Sequence, residues 1–452
     1  MTYDRNWIPE ETFRRSGSSG GTRSITTAEI WILQDHKTIG PLRIGYAALY
    51  IVLLVLGALT IWLLKPLLQL TDAAADRNVV ALFVPFGCAA VLMLWASMRN
   101  EWSRWVAVSI LIMFVSLSFI FHGFFFEPIW HFHFDDPGRY STYAHLILSS
   151  KTLWGGDAVG SMGIDSAVYV DQPGYRYFLA AMIGLLGGEH RLLQLVNMGF
   201  YLGAVTVFLT EISKNEKKIF FPIVLFFAAS LPYAANNILE GLSEWFAVSL
   251  VLLAVTLMMR GRYYWAIVFV GLVVFVRQNY ILFAGILIFI IIASERGLEK
   301  KIGVGLLACV VMSFPAIHNW VFGNEIRFFA LNRGILVHWD RNLDEVLLQI
   351  LSVLWWKLKT YFGYWSSADS VRTLLAVMFA PLGSVMILYF FFLAKGVNRW
   401  LYILIVAAVA GPTMLYGWGY FPRFVFANQT ILLSVAPLIL PMSRLTVATQ
   451  RA

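Results

Sequence analysis

Hydrophobic and polar positions alternate on a long scale along this chain. Apolar runs long enough to cross a hydrocarbon core of roughly 30 Å recur throughout. They lie near 44–64, 79–98, 105–123, 191–210, 219–235, 243–259, 264–279, 281–294, 302–318, 373–394, 400–418 and 427–443. The pattern predicts an all-α polytopic membrane protein with about twelve transmembrane helices. The runs on either side of Gln278 read either as two helices or as one long kinked helix. Two further apolar stretches, 175–186 and 346–357, are too short to span. They read as amphipathic helices that lie in the interface or re-enter the membrane, the second carrying Trp355 and Trp356.

Composition agrees with this reading. Of 452 residues, 59% are hydrophobic and 13% are charged, against roughly a quarter charged in soluble domains. Residues 1–40 are polar, with Arg14, Arg15 and a Ser-Gly run. They read as a disordered cytoplasmic tail rather than a signal peptide. Cys88 and Cys309 fall in apolar runs and read as free core thiols. The net charge of +8 reflects basic residues retained beside helices, not a nucleic-acid partner.

Every second connection is basic. Lys214, Lys217 and Lys218 sit in one, Arg260 and Arg262 in another, then Arg296, Lys300 and Lys301, then Lys395 and Arg399. By the positive-inside rule these connections are cytoplasmic, as are both termini. The inside then holds 20 Lys and Arg against 10 Asp and Glu, and the outside 14 against 16. The chain divides into the tail 1–40, two N-terminal spans in 41–104, a membrane core in 105–300, and C-terminal spans in 301–452. Two long segments, about 122–189 and 320–371, face outward. Both are rich in aromatic and acidic residues, and ordered loops of that length are usually functional.

The first outer segment contains His131-Phe-His-Phe-Asp-Asp-Pro-Gly-Arg-Tyr140. Asp135 and Asp136 stand at the membrane surface, with Arg139 and Tyr140 one short turn later. A carboxylate there loses water, which favours its neutral form, while a guanidinium opposes that shift. Such an acid can serve as general base toward a hydroxyl. The competing reading is helix capping: Asp before Pro-Gly, then a helix from Arg139 to Leu148. Because the acidic clusters face outward and no phosphate-cradling glycine loop is present, a transferase acting there must draw its donor from the membrane. A lipid-linked phosphate donor fits, its phosphate held by Arg277 or Arg423 at outward helix ends. For each arginine the alternative is snorkelling to the headgroups. Gln278 and Asn279 favour Arg277, since they add polarity where lipid disfavours it.

The pattern Asp136-x-x-Arg139-Tyr140 resembles the first-loop motif of the GT-C glycosyltransferases, in the branch of the aminoarabinose transferase and protein mannosyltransferases. Asp171-Gln-Pro-Gly-Tyr175 is similar to that family's Pro-Pro-Leu-Tyr segment, although the second Pro and the Leu are missing. Leu239-Glu240-Gly-Leu-Ser-Glu244 and Tyr420-Phe-Pro-Arg423-Phe resemble two later motifs. The resemblance covers roughly 105–300 and implies a membrane-embedded, inverting glycosyltransferase. It makes Asp136 the catalytic base, with Asp135 and Glu244 as further acids. Arg139, Tyr140, Asp171, Tyr175, Glu240, Arg277 and Arg423 would bind or orient substrate. The implied partners are a polyprenyl-phosphate-linked sugar donor, a glycan, lipid or protein acceptor, and the bilayer, with cell-envelope glycan synthesis as the setting.

No cofactor is expected. His122, Glu127, His131 and His133 offer the His-x-His and carboxylate ligands of a divalent metal site, yet the surrounding Phe and Trp residues favour an interfacial belt. Asn428-Gln-Thr430 fits a glycosylation acceptor but lies against a helix. Two other functions stay open: a transporter or flippase of lipid-linked sugars, and an inactive assembly subunit of an envelope-glycan complex. Against the transporter, the sequence shows no internal repeat and no paired interrupted helices.

Overall fold

A computed structural model describes residues 136–151, 173–187, 190–215, 241–323, 342–363, 371–414 and 422–440, with isolated positions between 223 and 238 and at 326. All of them belong to a unit spanning 50–452. The three expected spans before residue 124 lie outside the described residues, as does most of the one at 219–235.

Every described element is helical, and there is no strand among the described residues. The helices are α1 (Asp136–Ser150), α2 (Pro173–Leu186), α3 (His190–Asn215), α4 (Ser243–Met259), α5 (Tyr263–Val276), α6 (Ile281–Ser294), α7 (Leu298–Gly323), α8 (Leu343–Tyr361), α9 (Val371–Leu393), α10 (Val397–Met414) and α11 (Pro422–Ile439). Two described segments, Leu298–Val321 and Val397–Met414, are long and apolar enough to cross a membrane. The other apolar stretches, Val196–Ile212 and Ala380–Leu393 among them, run to 10–17 residues.

The runs around Gln278 form a hairpin of two helices, not one kinked helix. Arg277 caps α5 with an extended backbone, and a 3-10 turn, Gln278–Tyr280, leads into α6. Tyr263 at the start of α5 lies close to Ser294, Glu295 and Arg296 at the end of α6, so the arms run antiparallel. Each arm has 14 residues, a length of about 21 Å. The turn closes its own backbone: Arg277 N–H donates to the Val273 carbonyl at 2.7 Å and Tyr280 N–H to that of Arg277 at 3.1 Å.

Small residues set the closest helix contacts. A methyl on Gly271 of α5 would fall 1.8 Å from Val311 Cγ1 of α7. A methyl on Gly383 of α9 would meet the Gln429 side chain of α11 at 2.4 Å. α11 is the inner helix, buried from Phe424 onward almost to its end, with Asn428, Gln429, Thr430 and Ser434 all fully buried. Hydrogen bonds make that burial possible. Gln429 Nε2 donates to the Ala380 carbonyl at 2.8 Å and to Ser384 Oγ at 3.1 Å.

The outside is apolar instead. Ile302, Leu306, Val310, Phe314, Ile317 and Val321 form an exposed stripe along α7. α8 inverts the pattern of a water-facing helix. It exposes Leu347, Leu348, Leu351, Trp355 and Trp356 while burying Lys357 and Thr360. Lys357 Nζ donates to the Thr413 carbonyl at the C-terminal end of α10.

Three expectations need correction. Cys309 is an exposed free thiol on α7, not a core group. The last span begins at Pro422 rather than near 427, because Pro is favoured at a helix start while Arg423 lowers the local hydropathy. α1 opens at Asp136 rather than Arg139, taking Asp-Pro-Gly into its first turn.

Candidate functional site

Polar groups from five helices and the hairpin turn converge at one end of the bundle. Gly241 brings the chain there, with a positive φ of 78° that glycine adopts without strain. Its N–H bonds the Ile238 carbonyl and the Leu242 N–H bonds that of Asn237, the Schellman pattern that ends a helix. α4 starts directly afterwards, which places Ser243 and Glu244 in its first turn. An acid suits that position, facing the positive end of the helix dipole.

Glu244 is only 1% exposed. Its Oε1 accepts from Arg277 Nη2 at 2.7 Å and faces Arg423 Nε at 3.3 Å. One arginine comes from the hairpin bend and the other from the first turn of α11. Both guanidiniums lie against the Phe424 ring, 5.6 Å and 5.0 Å from its centroid. Two guanidiniums and one carboxylate thus meet in a low-dielectric surrounding, where a planar arginine fork suits an anionic oxygen.

Tyr140 of α1 enters the same cluster, its hydroxyl 3.2 Å from Ser243 Oγ. Its ring meets Tyr175 of α2 edge-on, with centroids 5.2 Å apart. The Tyr175 hydroxyl accepts from Asn197 Nδ2 at 3.0 Å. Burial pushes the Tyr175 phenol well above its usual range, so it stays protonated. Gly174 lets α2 approach: a methyl there would lie 2.9–3.0 Å from the Phe275 side chain, carbonyl carbon and oxygen. Tyr140, Tyr175, Glu244, Arg277 and Arg423 are thus brought into one neighbourhood. The backbones of Asp136 and Arg139 lie in the first turn of α1. Their side chains are outside the described residues, and so are Asp135, Asp171 and Glu240. The candidate metal ligands His122, Glu127, His131 and His133 are outside them too. Among the described residues, no group of three or more His, Cys, Asp or Glu is placed to hold a metal.

Sequence reasoning missed a second layer. Arg176 is 1% exposed, with its guanidinium 5.5 Å from the ring centroids of Tyr143 and Tyr177. The Tyr177 hydroxyl lies 2.5 Å from His318 Nε2 of α7. An arginine inside a short apolar stretch is the one signal that pointed to it. Asn428 belongs to an acceptor motif that matches by chance, set against a helix. In the structure it is fully buried, its amide bonded to Tyr361 and Thr413 at 2.9 Å each.

The opposite ends of these helices are also polar, and differently so. Arg260, which caps the far end of α4, pairs with Glu211 of α3 at 2.8 Å. Asn398 Nδ2 near the start of α10 donates to the Ile439 carbonyl at the end of α11. The basic connections around Arg262, Arg296 and Lys395 therefore lie at the end away from Glu244.

No protein-family model matches this chain, and no solved structure matches it. Over 125 residues the chain is 31% identical to the Dol-P-Man:Man(5)GlcNAc(2)-PP-Dol alpha-1,3-mannosyltransferase of Homo sapiens. That stretch is 27% of this chain and spans 28% of the human protein.

Proposed function

We propose that this protein is a multi-pass membrane glycosyltransferase of GT-C type. It transfers a hexose or pentose from a polyprenyl-phosphate donor to an acceptor hydroxyl on the non-cytoplasmic face. The observation that carries the proposal is the Glu244–Arg277–Arg423 cluster, where two guanidiniums from different elements meet in the interior beside the helix that opens with Asp136. The human relative, whose name pairs a dolichol-phosphate mannose donor with a dolichol-linked glycan acceptor, supports the same chemistry. About twelve spans with both termini inside fit the alternating basic connections.

The reaction follows from these groups. The Asp136 carboxylate takes the proton of the acceptor hydroxyl. The oxygen attacks the anomeric carbon from the face opposite the phosphate, and the bond from that carbon to the phosphate oxygen breaks. The lipid phosphate leaves carrying the electron pair, and configuration inverts. Arg277 and Arg423 meet the negative charge that grows on the phosphate. Glu244 keeps the two guanidiniums together.

The test uses purified full-length protein in nanodiscs with radiolabelled polyprenyl-phosphate mannose, and a lipid-linked oligosaccharide as acceptor. Wild type should transfer label. Asp136→Asn should bind donor with unchanged affinity and lose at least about a hundredfold in kcat, as expected for a missing general base. An Asp136→Asn variant that transfers at the wild-type rate overturns the mechanism. Movement of the intact lipid-linked sugar across liposomes, without transfer, would favour a flippase.

A further inference from the structure

We propose that Asn428 is a positioning residue that holds Arg277 at the phosphate of the lipid carrier. This inference rests on the donor-phosphate reading above. Arg277 stands at an extended residue between two helices, so its place depends on what fixes the turn that follows. That turn ends at Tyr280, whose hydroxyl donates to Asn428 Oδ1 at 3.2 Å. Tyr280 N–H in turn bonds the Arg277 carbonyl at 3.1 Å.

Asn428 itself is held from two other sides. Its Nδ2 donates to Tyr361 Oη at the end of α8 and to Thr413 Oγ1 near the end of α10, each at 2.9 Å. Both amide hydrogens and the amide oxygen are thereby used. Aspartate would lose the two donors and leucine all three bonds, so no other side chain of this size reproduces the arrangement. Asn428 also follows Arg423 on the same helix by little more than a turn. It therefore ties the bend that carries Arg277 to the helix that carries Arg423, and sets the spacing of both around Glu244. Tyr361 and Thr413 accept from the same amide nitrogen, so either one alone keeps Oδ1 pointing at Tyr280.

The experiment compares two single-atom deletions in full-length protein in nanodiscs. Tyr280→Phe removes the bond between the hub and the bend. Tyr361→Phe removes a bond on the other side and leaves the bend tied. Two quantities are read: the Kd for polyprenyl phosphate, and the KM and kcat for polyprenyl-phosphate mannose. Tyr280→Phe is expected to raise Kd and KM about tenfold, the effect of one well-placed hydrogen bond, with kcat changed less than about twofold. Tyr361→Phe should leave both within about twofold. Asn428→Leu should match the Tyr280→Phe defect, and the double variant should be no worse than Asn428→Leu.

Equal effects of the two Phe variants on Kd, or a lowered melting temperature with unchanged Kd, would overturn the proposal. If wild type binds polyprenyl phosphate but transfers no sugar, the transferase reading fails. Asn428 then still stands, provided Tyr280→Phe weakens that binding. If wild type does not bind polyprenyl phosphate, both fall.

Discussion

At Glu244 one carboxylate oxygen meets two guanidiniums, and burial decides what its loss costs. Glu244→Leu removes the carboxylate that the buried Arg277 and its neighbour Arg423 share. Stranding buried charge in this way typically costs about 3–5 kcal/mol. The Glu211–Arg260 pair has a similar distance, 2.8 Å, but the Arg260 side chain is 42% exposed. Solvent screens that pair, so Glu211→Gln should cost less than about 1 kcal/mol. Calorimetric unfolding of both variants in detergent checks the contrast, and equal losses would show that the Glu244 cluster is as wet as the other. The residues of this cluster were legible because each is polar where an apolar run begins or ends. Glu244, Arg277 and Arg423 could be picked singly on that ground. Their meeting could not, since it depends on which helices adjoin, and spacings of 33 and 146 residues carry no such information. Asn428 and Tyr280 escaped for the same reason, for their partners come from separate elements.

Helix length and helix ends were legible to different degrees. The runs 243–259 and 281–294 coincide with α4 and α6 because apolar composition stops abruptly at Arg260 and Glu295. The start of α11 was displaced because a hydropathy average cannot register Pro422 as a helix start. The hairpin was left open because hydropathy is blind to direction, and only the approach of Tyr263 to Ser294 shows that the chain reverses. Glycine contacts lie wholly outside such patterns, and they separate two substitutions that look alike in sequence. Gly271→Ala would force a methyl into Val311, so α5 and α7 must part, an overpacking cost of about 1–3 kcal/mol. Gly285→Ala on α6 meets nothing within 4 Å, and alanine favours helix by about 1 kcal/mol. Melting temperatures should fall for the first and hold or rise for the second. If Gly271→Ala melts with wild type, the tight α5–α7 contact is not present in the membrane.

At the scale of the whole molecule, the two ends of the bundle have opposite chemistry, and the proposed reaction depends on which end meets the outside. Arg260, Arg296 and Lys395 mark one end, while the Glu244 cluster marks the other. If the basic end is cytoplasmic, the cluster faces a compartment where sugars arrive on lipid carriers. If it is reversed, nucleotide sugars become available and the case for a lipid-phosphate donor loses its footing. Exposed positions at each end allow the question to be answered directly in a background with Cys88 and Cys309 replaced by alanine. Ile326→Cys and Asn342→Cys, near the two ends of the 324–342 stretch between α7 and α8, should react with a membrane-impermeant maleimide in intact cells. Arg296→Cys and Lys395→Cys should react only after permeabilisation. The positive-inside asymmetry requires this pattern, because the basic connections are held on the side where they were made. The inverse labelling would place Asp136, Arg277 and Arg423 in the cytosol. The two guanidiniums would remain there, but an anionic donor in water would serve them as well as one carried by the bilayer.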